Sequence, residues 1–387
     1  MSALSHCFAA LVLTAGCSVA FAQQGSAPQA PPPPPRVMEV VDSMPRPPVP
    51  PDPLELVVGP AQAVETAEQR LAAIAVLNRA RDLSAVRAQP YDLKTSFTST
   101  GGSASDGNWS LEDISPAKGI YRWTAQGPSY SVINLYPNTT QGILYSNQPT
   151  GVVPLRLEQV REALFFVYIQ PGPQASIRTA TGYLNGVQQN CLLVAYGFRG
   201  PALTGARDWQ ESEFCTDAGT GLLTTYSPAP GLFIHYDYSS AIAFHGKTVA
   251  GAFTITEAGR PVIEARTLSV ADPPDPKSPI FDSAGLVSLG VGREMTAASR
   301  VRGTAPVNRG RGAPPPGNPT IQVVTLHGNA GPDGKLTEVG ILASSDPTMN
   351  QTALDRTANW GTGNRSQPGA TAQSNEVFFT WEFLRNQ

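Results

Sequence analysis

Between Tyr91 and Val270 the chain runs through a train of short segments with alternating polarity, each bounded by Gly, Pro, Asn or Asp. They cover Tyr91–Thr98, Gly107–Glu112, Gly119–Ala125, Ser129–Tyr136, Thr179–Leu184, Cys191–Gly197, Glu211–Thr216, Leu222–Tyr226, Leu232–Tyr238, Phe244–Thr248, Ala252–Glu257 and Arg260–Val270. Runs of this length and period read as strands with one face buried. At this spacing they form one antiparallel sheet, strongly curved or half-closed. One segment breaks the pattern. Pro154–Leu164 predicts a helix lying on the sheet, with Arg156, Glu158, Arg161 and Glu162 at i, i+3 and i+4 spacing. Such pairs give a helix about 0.2–0.5 kcal/mol each and need no further role.

Upstream, Ala61 to Val86 turns helical, with Val64, Ala67, Leu71, Ile74 and Leu77 as one apolar stripe. Glu65 and Glu68 sit early and Arg79, Arg81 and Arg87 late, an order that suits the helix dipole. The narrow stripe predicts packing against the sheet.

Residues 1–22 read as a secretory signal: an apolar core from Phe8 to Ala15, then the Ala20-Phe-Ala22 cleavage step. Leu13-Thr-Ala-Gly-Cys17 also matches the outline of a lipoprotein signal, so anchoring through Cys17 or through an uncleaved N-terminus stays open. Gln23 to Pro53 is low complexity, with polyproline at Pro31–Pro35 and again at Pro45–Pro53, which predicts an extended, disordered spacer. A second Gly/Pro segment, Ser299–Pro319, carries Arg300, Arg302, Arg309 and Arg311 and reads as a linker. The formal net charge of -3 and 15% charged residues argue against a nucleic-acid partner.

Export and cysteine usage agree. Cleavage after Ala22 leaves Cys191 and Cys215 alone, and two cysteines in an oxidising periplasm read as one disulfide. Two buried free thiols are the alternative. No metal site is expected, since third and fourth ligands are missing at suitable spacing. No cofactor is expected and no catalytic residue is assigned: the chain has no Gly-x-Ser-x-Gly, His-Glu-x-x-His or phosphate loop. His235 and Asp237 share a strand face near His245, the one set that could serve a hydrolase or a metal. The surrounding Tyr236, Tyr238 and Phe244 favour a hydrogen-bonded histidine in an aromatic sheet face. His327 ends a predicted strand beside a turn and reads as exposed. Trp109, Trp123, Tyr236 and Tyr238 are candidates to line a ligand cavity if the sheet curls around one.

From Pro319 to Gln387 the order is strand, tight turn, strand, helix, strand. Ile321–His327 is a β-branched run, Gly331-Pro-Asp-Gly334 a turn, and Leu336, Val339, Ile341 and Ala343 continue as a strand. Asp346 and Thr348 are N-cap candidates around Pro347, and Met349, Ala353, Leu354 and Ala358 keep helical spacing up to Trp360. Val377–Phe383 closes the chain as an aromatic strand. This order, with Ser344-Ser345, Ala353-Leu354 and Ala358-Asn-Trp360, resembles the C-terminal domain of TonB-family energy transducers. The resemblance implies a protein-binding module that takes a partner peptide by strand addition through Val377, Phe378, Phe379, Thr380, Trp381 and Phe383. It also implies an outer-membrane or other envelope protein as partner.

The β-rich stretch resembles the LolA/LolB-type lipoprotein-carrier fold. The likeness rests on the leading helix, Tyr91–Phe97, Gly107-Asn-Trp109, Tyr121-Arg-Trp123 and the closing Pro276–Phe281 run. That resemblance implies an incomplete antiparallel barrel, lidded by helices, that holds a lipid or lipoprotein ligand.

The expected fold class is therefore α+β and mainly β: a curved antiparallel half-barrel with covering helices, plus a small C-terminal β-β-α-β domain. The boundaries are 1–22 signal, 23–58 Pro-rich spacer, 60–282 β-rich domain, 283–318 linker and 319–387 C-terminal domain. The linker predicts two domains that move independently. The expected function is a non-enzymatic envelope protein that binds a protein partner and an apolar or lipid ligand in the periplasm. A structural, peptidoglycan-associated protein and a periplasmic hydrolase are the alternatives.

Overall fold

The computed structural model describes residues 57–103, 105–138, 142–147, 153–168, 171–196, 207–291, 295–296, 320–330, 335–358 and 376–385. The signal region, the Pro-rich spacer up to residue 56, the Arg-bearing linker, the 331–334 turn and Trp360 lie outside these residues.

In chain order the elements begin with β1 (Val57–Ala63), α1 (Ala67–Ser84), β2 (Tyr91–Ser99), β3 (Gly107–Ala117), β4 (Ile120–Gln126), β5 (Ser131–Tyr136), β6 (Ile143–Ser146) and α2 (Leu155–Phe165). They continue with β7 (Ala175–Leu184), β8 (Val187–Tyr196), β9 (Glu211–Asp217), β10 (Leu223–Ala229), β11 (Leu232–Asp237), β12 (Ile242–Phe244), β13 (Lys247–Val249), β14 (Ala252–Glu257) and β15 (Arg260–Ala271). Last come α3 (Ser283–Ser288), β16 (Met295–Thr296), β17 (Thr320–Ala330), β18 (Leu336–Ser344), α4 (Asn350–Ala358) and β19 (Glu376–Arg385).

One 14-stranded sheet dominates, in the order β1-β7-β8-β9-β10-β11-β14-β15-β2-β3-β4-β5-β6-β16. All its pairings are antiparallel, and it stays open because β1 and β16 do not meet. Its hairpins follow from turn chemistry. Asn185-Gly186 joins β7 to β8 with both residues at positive φ, the geometry that matches strand twist. Ala258-Gly259 makes the same kind of turn between β14 and β15, at φ 50° and 72°, where a Cβ is unwelcome.

Curvature follows from what α2 touches. The helix meets Tyr121 of β4, Tyr226 and Tyr236 of β10 and β11, and Glu257 of β14, strands widely separated in the sheet order. A flat sheet cannot bring these together on one helix, so the sheet wraps around α2. The core between them contains Trp109, Trp123, Phe97, Tyr130, Phe214, Tyr226 and Phe253, with Leu157, Val160 and Ala163 of α2.

The second sheet has the order β18-β17-β19. One face packs on α4: Val324, Leu326, Val377, Phe379 and Phe383 meet Ala353, Met349 and Leu354. Asp346 caps the turn ahead of that helix through the Thr348 amide, with Pro347 in the first turn. The other face packs on the large sheet. Leu342 joins the large core with Phe378 against it, and Val323 and Ala343 close over Trp209. Gly231, in the β10–β11 turn at φ 82°, is required here: a Cβ would come within 2.0 Å of the Leu342 carbonyl oxygen. Two domains moving independently on a linker were expected; the structure shows a shared buried face instead.

Several sequence expectations differ in detail. Val57 and Val58 fall in a strand, not the spacer, and Pro60 sits where β1 shifts register against β7, the place an edge strand tolerates proline. The first helix starts at Ala67, after a capping box between Thr66 and Gln69. Its buried line is Ala73, Leu77, Ala80 and Ser84, while Leu71 of the expected stripe is 70% exposed. The small alanines let the helix backbone approach the sheet, so size outweighs hydrophobicity in choosing the face. Phe244–Thr248 is not a sheet strand but the separate β12–β13 hairpin, turned at His245-Gly246.

Candidate functional site

Helix α2 buries charge between the two sheets. Its N-cap, Pro154, has no side chain to offer the free amides of the first turn. The cap comes from the C-terminal sheet: Leu155 N donates to Glu338 Oε2 at 3.3 Å, and Ser103 Oγ donates to the other oxygen of the same carboxylate. A carboxylate there also suits the positive end of the helix dipole. Glu338 reaches it from a left-handed residue in β18, φ 53°. Arg156, Glu158, Gln159 and Arg161 are all buried. The expectation that these residues need only local pairing is thus corrected: beside the local Glu158–Arg161 coupling, Arg156, Arg161 and Glu162 bond residues far away in sequence.

At the start of α2 a network joins both sheets. Arg156 binds Glu257 through both terminal nitrogens, Nη2 to Oε2 at 3.0 Å, and donates to Gln159 Oε1 at 2.9 Å. Gln159 Nε2 donates to Glu257 Oε1 and to Glu376 Oε1, each at 2.9 Å. The His327 ring stands between the same carboxylates, Nδ1 at 2.6 Å from Glu376 Oε1 and Nε2 at 3.6 Å from Glu257 Oε1. His327 was expected to be exposed at a strand end. It is 2% exposed within β17, because that strand runs three residues further and faces the body. Burial alone would lower its pKa, but Glu257 and Glu376 outweigh burial and raise it. Burial opposes ionisation of Glu257 too, and His327 and Arg156 overcome it, holding the carboxyl at about 2. For Glu158 and Glu162 the opposing pull, from Arg161 and from the Tyr226 hydroxyl respectively, does not overcome burial. Burial pushes them up to about 7 and about 8, and the neighbouring Glu376 adds to both.

Glu257, His327 and Glu376 bring three ligand-type atoms within 4.8 Å of one another. Arg156 and Gln159 already donate to these carboxylates, and each ring nitrogen faces one of them. The trio is filled as an ion-pair network and not held open for a metal.

Further along α2, a second network stays within the large sheet. Arg161 lies over the Trp123 ring at 4.1 Å, donates to Tyr121 Oη at 2.6 Å and stands 3.9 Å from Asp113 Oδ2. Asp113 accepts from Tyr91 at 2.7 Å and from Tyr121. Burial raises the Asp113 pKa against the pull of Arg161, and it raises both tyrosines further from neutrality.

Two of the four cavity candidates touch this helix. Trp123 stacks under Arg161, and Tyr236 donates to the Ala163 carbonyl at 2.7 Å. Trp109 stacks on Phe97 in the same core, and Tyr238 bonds Leu223 O at 2.9 Å. Where Trp123 and Tyr236 face inward they meet α2 itself. A pocket of about 580 Å³ lies elsewhere, lined by residues of β4, β5 and β6 such as Gln126, Ser131 and Tyr145.

Cys191 and Cys215 oppose each other on β8 and β9 and form a disulfide. His235, Asp237 and His245 do not converge. His235 bonds Thr225 Oγ1 at 3.1 Å, Asp237 caps Ser239 N at 2.8 Å, and His245 pairs with Asp272 at 2.7 Å.

The final strand residues sit in β19, which pairs with β17 in unbroken register from Thr320↔Arg385 to Asn329↔Glu376. Val377, Phe379 and Phe383 are buried with Trp381 against α4, and Phe378 faces the large core while Thr380 is half-buried. The strand's glutamates turn inward, Glu376 to His327 and Glu382 to Gln210 at 3.0 Å. Among the described residues no strand pairs with its other edge.

Sequence reasoning missed Arg156, Gln159, Glu257, His327 and Glu376 as a set. The one available signal was His327 itself, in register with Val323 and Thr325 on one face of a β-branched strand.

No protein-family model matches the chain, and no curated protein matches it either. Among solved structures it is similar to an outer membrane lipoprotein-sorting protein domain from Vibrio parahaemolyticus, with 6% identity and a TM-score of 0.34 over 52% of this chain and 92% of that one. It is also similar to a LolA superfamily protein from Nitrosomonas europaea, with 9% identity and a TM-score of 0.33 over 54% of this chain and 97% of that one.

Proposed function

We propose that this chain is a non-enzymatic binding protein of the cell envelope that takes a strand from a protein partner along the open edge of β19. The carrying observation is how differently the sheet edges are treated. β1 has Pro60 and a register shift, β16 spans two residues, and β18 has two register shifts and a left-handed residue. These are devices by which natural sheets discourage edge pairing. β19 has none: ten residues, no proline, no bulge, and its glutamates used inward. A strand of that kind either aggregates or has a partner. The buried disulfide fits an oxidising compartment, and the expected signal sequence fits the periplasm. No helix among the described residues is long and apolar enough to cross a membrane.

The test is site-specific photocrosslinking in the native host, with the probe at Thr380 in β19 and at the exposed Asp355 of α4. Strand addition predicts a crosslink from position 380 that maps to an extended segment of one envelope protein, and none from position 355. Equal labelling at both positions, or none at 380, sinks the reading.

A second reading concerns an apolar or lipid ligand in the trough. Its supporting observation is that α2 occupies a trough lined by Trp123, Tyr226 and Tyr236, and that buried polar contacts as well as Leu157, Val160 and Ala163 hold it there. A lipid chain that displaced α2 would take over the apolar surface that Leu157, Val160 and Ala163 cover. Quenching of tryptophan emission by a brominated fatty acid, lost in Trp123→Phe, supports it; no quenching at saturating lipid refutes it.

A further inference from the structure

The network at the start of α2 has a property that neither binding reading uses: it is the polar half of the contact between the two sheets, and it contains a histidine. We infer that this network is a proton-controlled latch, which holds the C-terminal sheet against α2 while His327 is an imidazolium and loosens when that ring loses its proton. The inference does not depend on strand addition or on a ligand.

The geometry requires the charged ring. Nδ1 and Nε2 each face a carboxylate, one from β19 and one from β14, so a neutral imidazole would turn a lone pair toward a buried anion. Every element packed here can be counted. α2 brings Arg156, Glu158, Gln159, Arg161 and Glu162. β14 brings Glu257, β19 brings Glu376, β18 brings Glu338, β10 brings Tyr226, and β17 adds Asn329, which donates to Val153 O at 3.1 Å. Against five carboxyl groups stand two arginines and His327. Removing the imidazolium charge leaves one N–H on the ring, so at most one of Glu376 and Glu257 keeps a donor from it and the other faces a lone pair.

The direction of the response follows from the signs. The pKa of His327 is raised by docking, so its contribution is full below about 6.5 and is lost as pH rises through its higher folded value. Glu158 and Glu162 are held neutral up to about 7 and about 8, so their burial costs progressively more as pH climbs from about 4.5 to those values. The proton of each leaves as pH rises, and each departure puts more negative charge beside Glu376. Glu257, at about 2, keeps its pairing throughout this range. The latch is therefore tight in mild acid and loosens toward alkaline pH. Each coupled proton changes the docking equilibrium by up to about tenfold per pH unit. The apolar contacts of Leu342, Phe378 and Val323 remain, so loosening means a larger open fraction, not complete separation. Opening would also strip Glu338 from the N-terminus of α2, so both elements report it together.

The experiment is hydrogen exchange by mass spectrometry on the full chain from pH 5.5 to 9, corrected for intrinsic exchange. Protection of β17–β19 and of the first turn of α2 is expected to fall together by about tenfold or more across the range, while β2–β4 hold theirs. His327→Gln should show low protection at every pH with a shallow profile. Glu158→Gln/Glu162→Gln, neutral and nearly isosteric, should also flatten the wild-type slope. A flat wild-type profile overturns the latch, and so does a wild-type slope in His327→Gln. Should that variant not fold, an unchanged slope in the double glutamine variant overturns it.

Discussion

The two ends of α2 carry the same kinds of residue and do different things with them. Arg161 meets Asp113, Tyr121 and Trp123, and Asp113 in turn accepts from Tyr91, all from neighbouring strands of one sheet. Arg156 meets Glu257 of that sheet, and through Gln159 meets Glu376 and His327 of the other. Around Arg161 the tyrosines are pushed away from neutral pH, so they keep their protons where the protein works. Around Glu376, which Gln159 ties to the Arg156 network, sit His327, raised by its carboxylates, and Glu158 and Glu162, raised by burial to about 7 and about 8. Buried charge inside one sheet fixes a structure; buried charge between two sheets makes their contact answer to pH.

The sharpest way to break this comparison is to remove each arginine in turn. Arg161→Met strands Asp113 without a cation in the core. It should cost about 3–5 kcal/mol and be felt by the whole large sheet, seen as a lower urea midpoint for β2–β4 and β10–β11 alike. Arg156→Met leaves Glu257 with His327 and Gln159, so about 2 kcal/mol is expected, confined to the C-terminal sheet and α2. Residue-resolved exchange separates the two. If both variants lose the same protection in the same places, the ends of α2 are not distinct.

This difference could not be read from the chain. The strands were legible because alternation and Gly/Asn turns are local, and β2 through β5, β7 through β11, β14 and β15 fall largely where the pattern places them. α2 was legible as a helix at the right position. Its charges were not, because i, i+4 spacing looks the same whether a helix faces water or the inside of a curled sheet. Gln159 finds Glu376 217 residues away and Leu155 finds Glu338 183 away, and no window holds both partners. The β19 edge was legible as a strand, Val377–Phe383, yet its lack of protection emerged only beside the guarded edges of β1 and β18. Leu71 misled because hydrophobicity picked the face, when the close approach of Ala73 and Ala80 decided it.

A smaller effect sharpens the contrast between local and distant capping. Glu338→Gln keeps a hydrogen-bond acceptor for Leu155 N but removes the charge at the helix N-terminus, with an expected loss of about 0.3–1 kcal/mol. The mirror control is Thr66→Ala in α1, whose capping box is entirely local, expected to cost about 1 kcal/mol. The Thr66 loss should leave the C-terminal sheet untouched. The Glu338 loss should appear in both α2 and β17–β19, because one carboxylate serves both. A Glu338 variant whose effect stays within α2 would mean that the helix and the sheet are not thermodynamically linked there.

The smallest effect is expected next to Glu257. Ala258 stands at φ 50° in the turn that sets the direction of that carboxylate. A left-handed alanine costs about 1 kcal/mol relative to glycine, less the extra chain entropy that glycine brings to the unfolded state. Ala258→Gly should therefore change global stability by a net gain of roughly 0.5 kcal/mol or less. Its value lies in what happens to the latch. If Arg156, Gln159 and His327 alone position Glu257, the pH profile of β17–β19 exchange will be unchanged, since all three donors remain. If the alanine turn is what keeps Glu257 aimed between them, the glycine protein will be slightly more stable and yet more open at every pH. Those two movements in opposite directions would assign the aim of Glu257 to backbone strain, a cause that the Arg161 end of the helix, with Asp113 in regular strand β3, does not share.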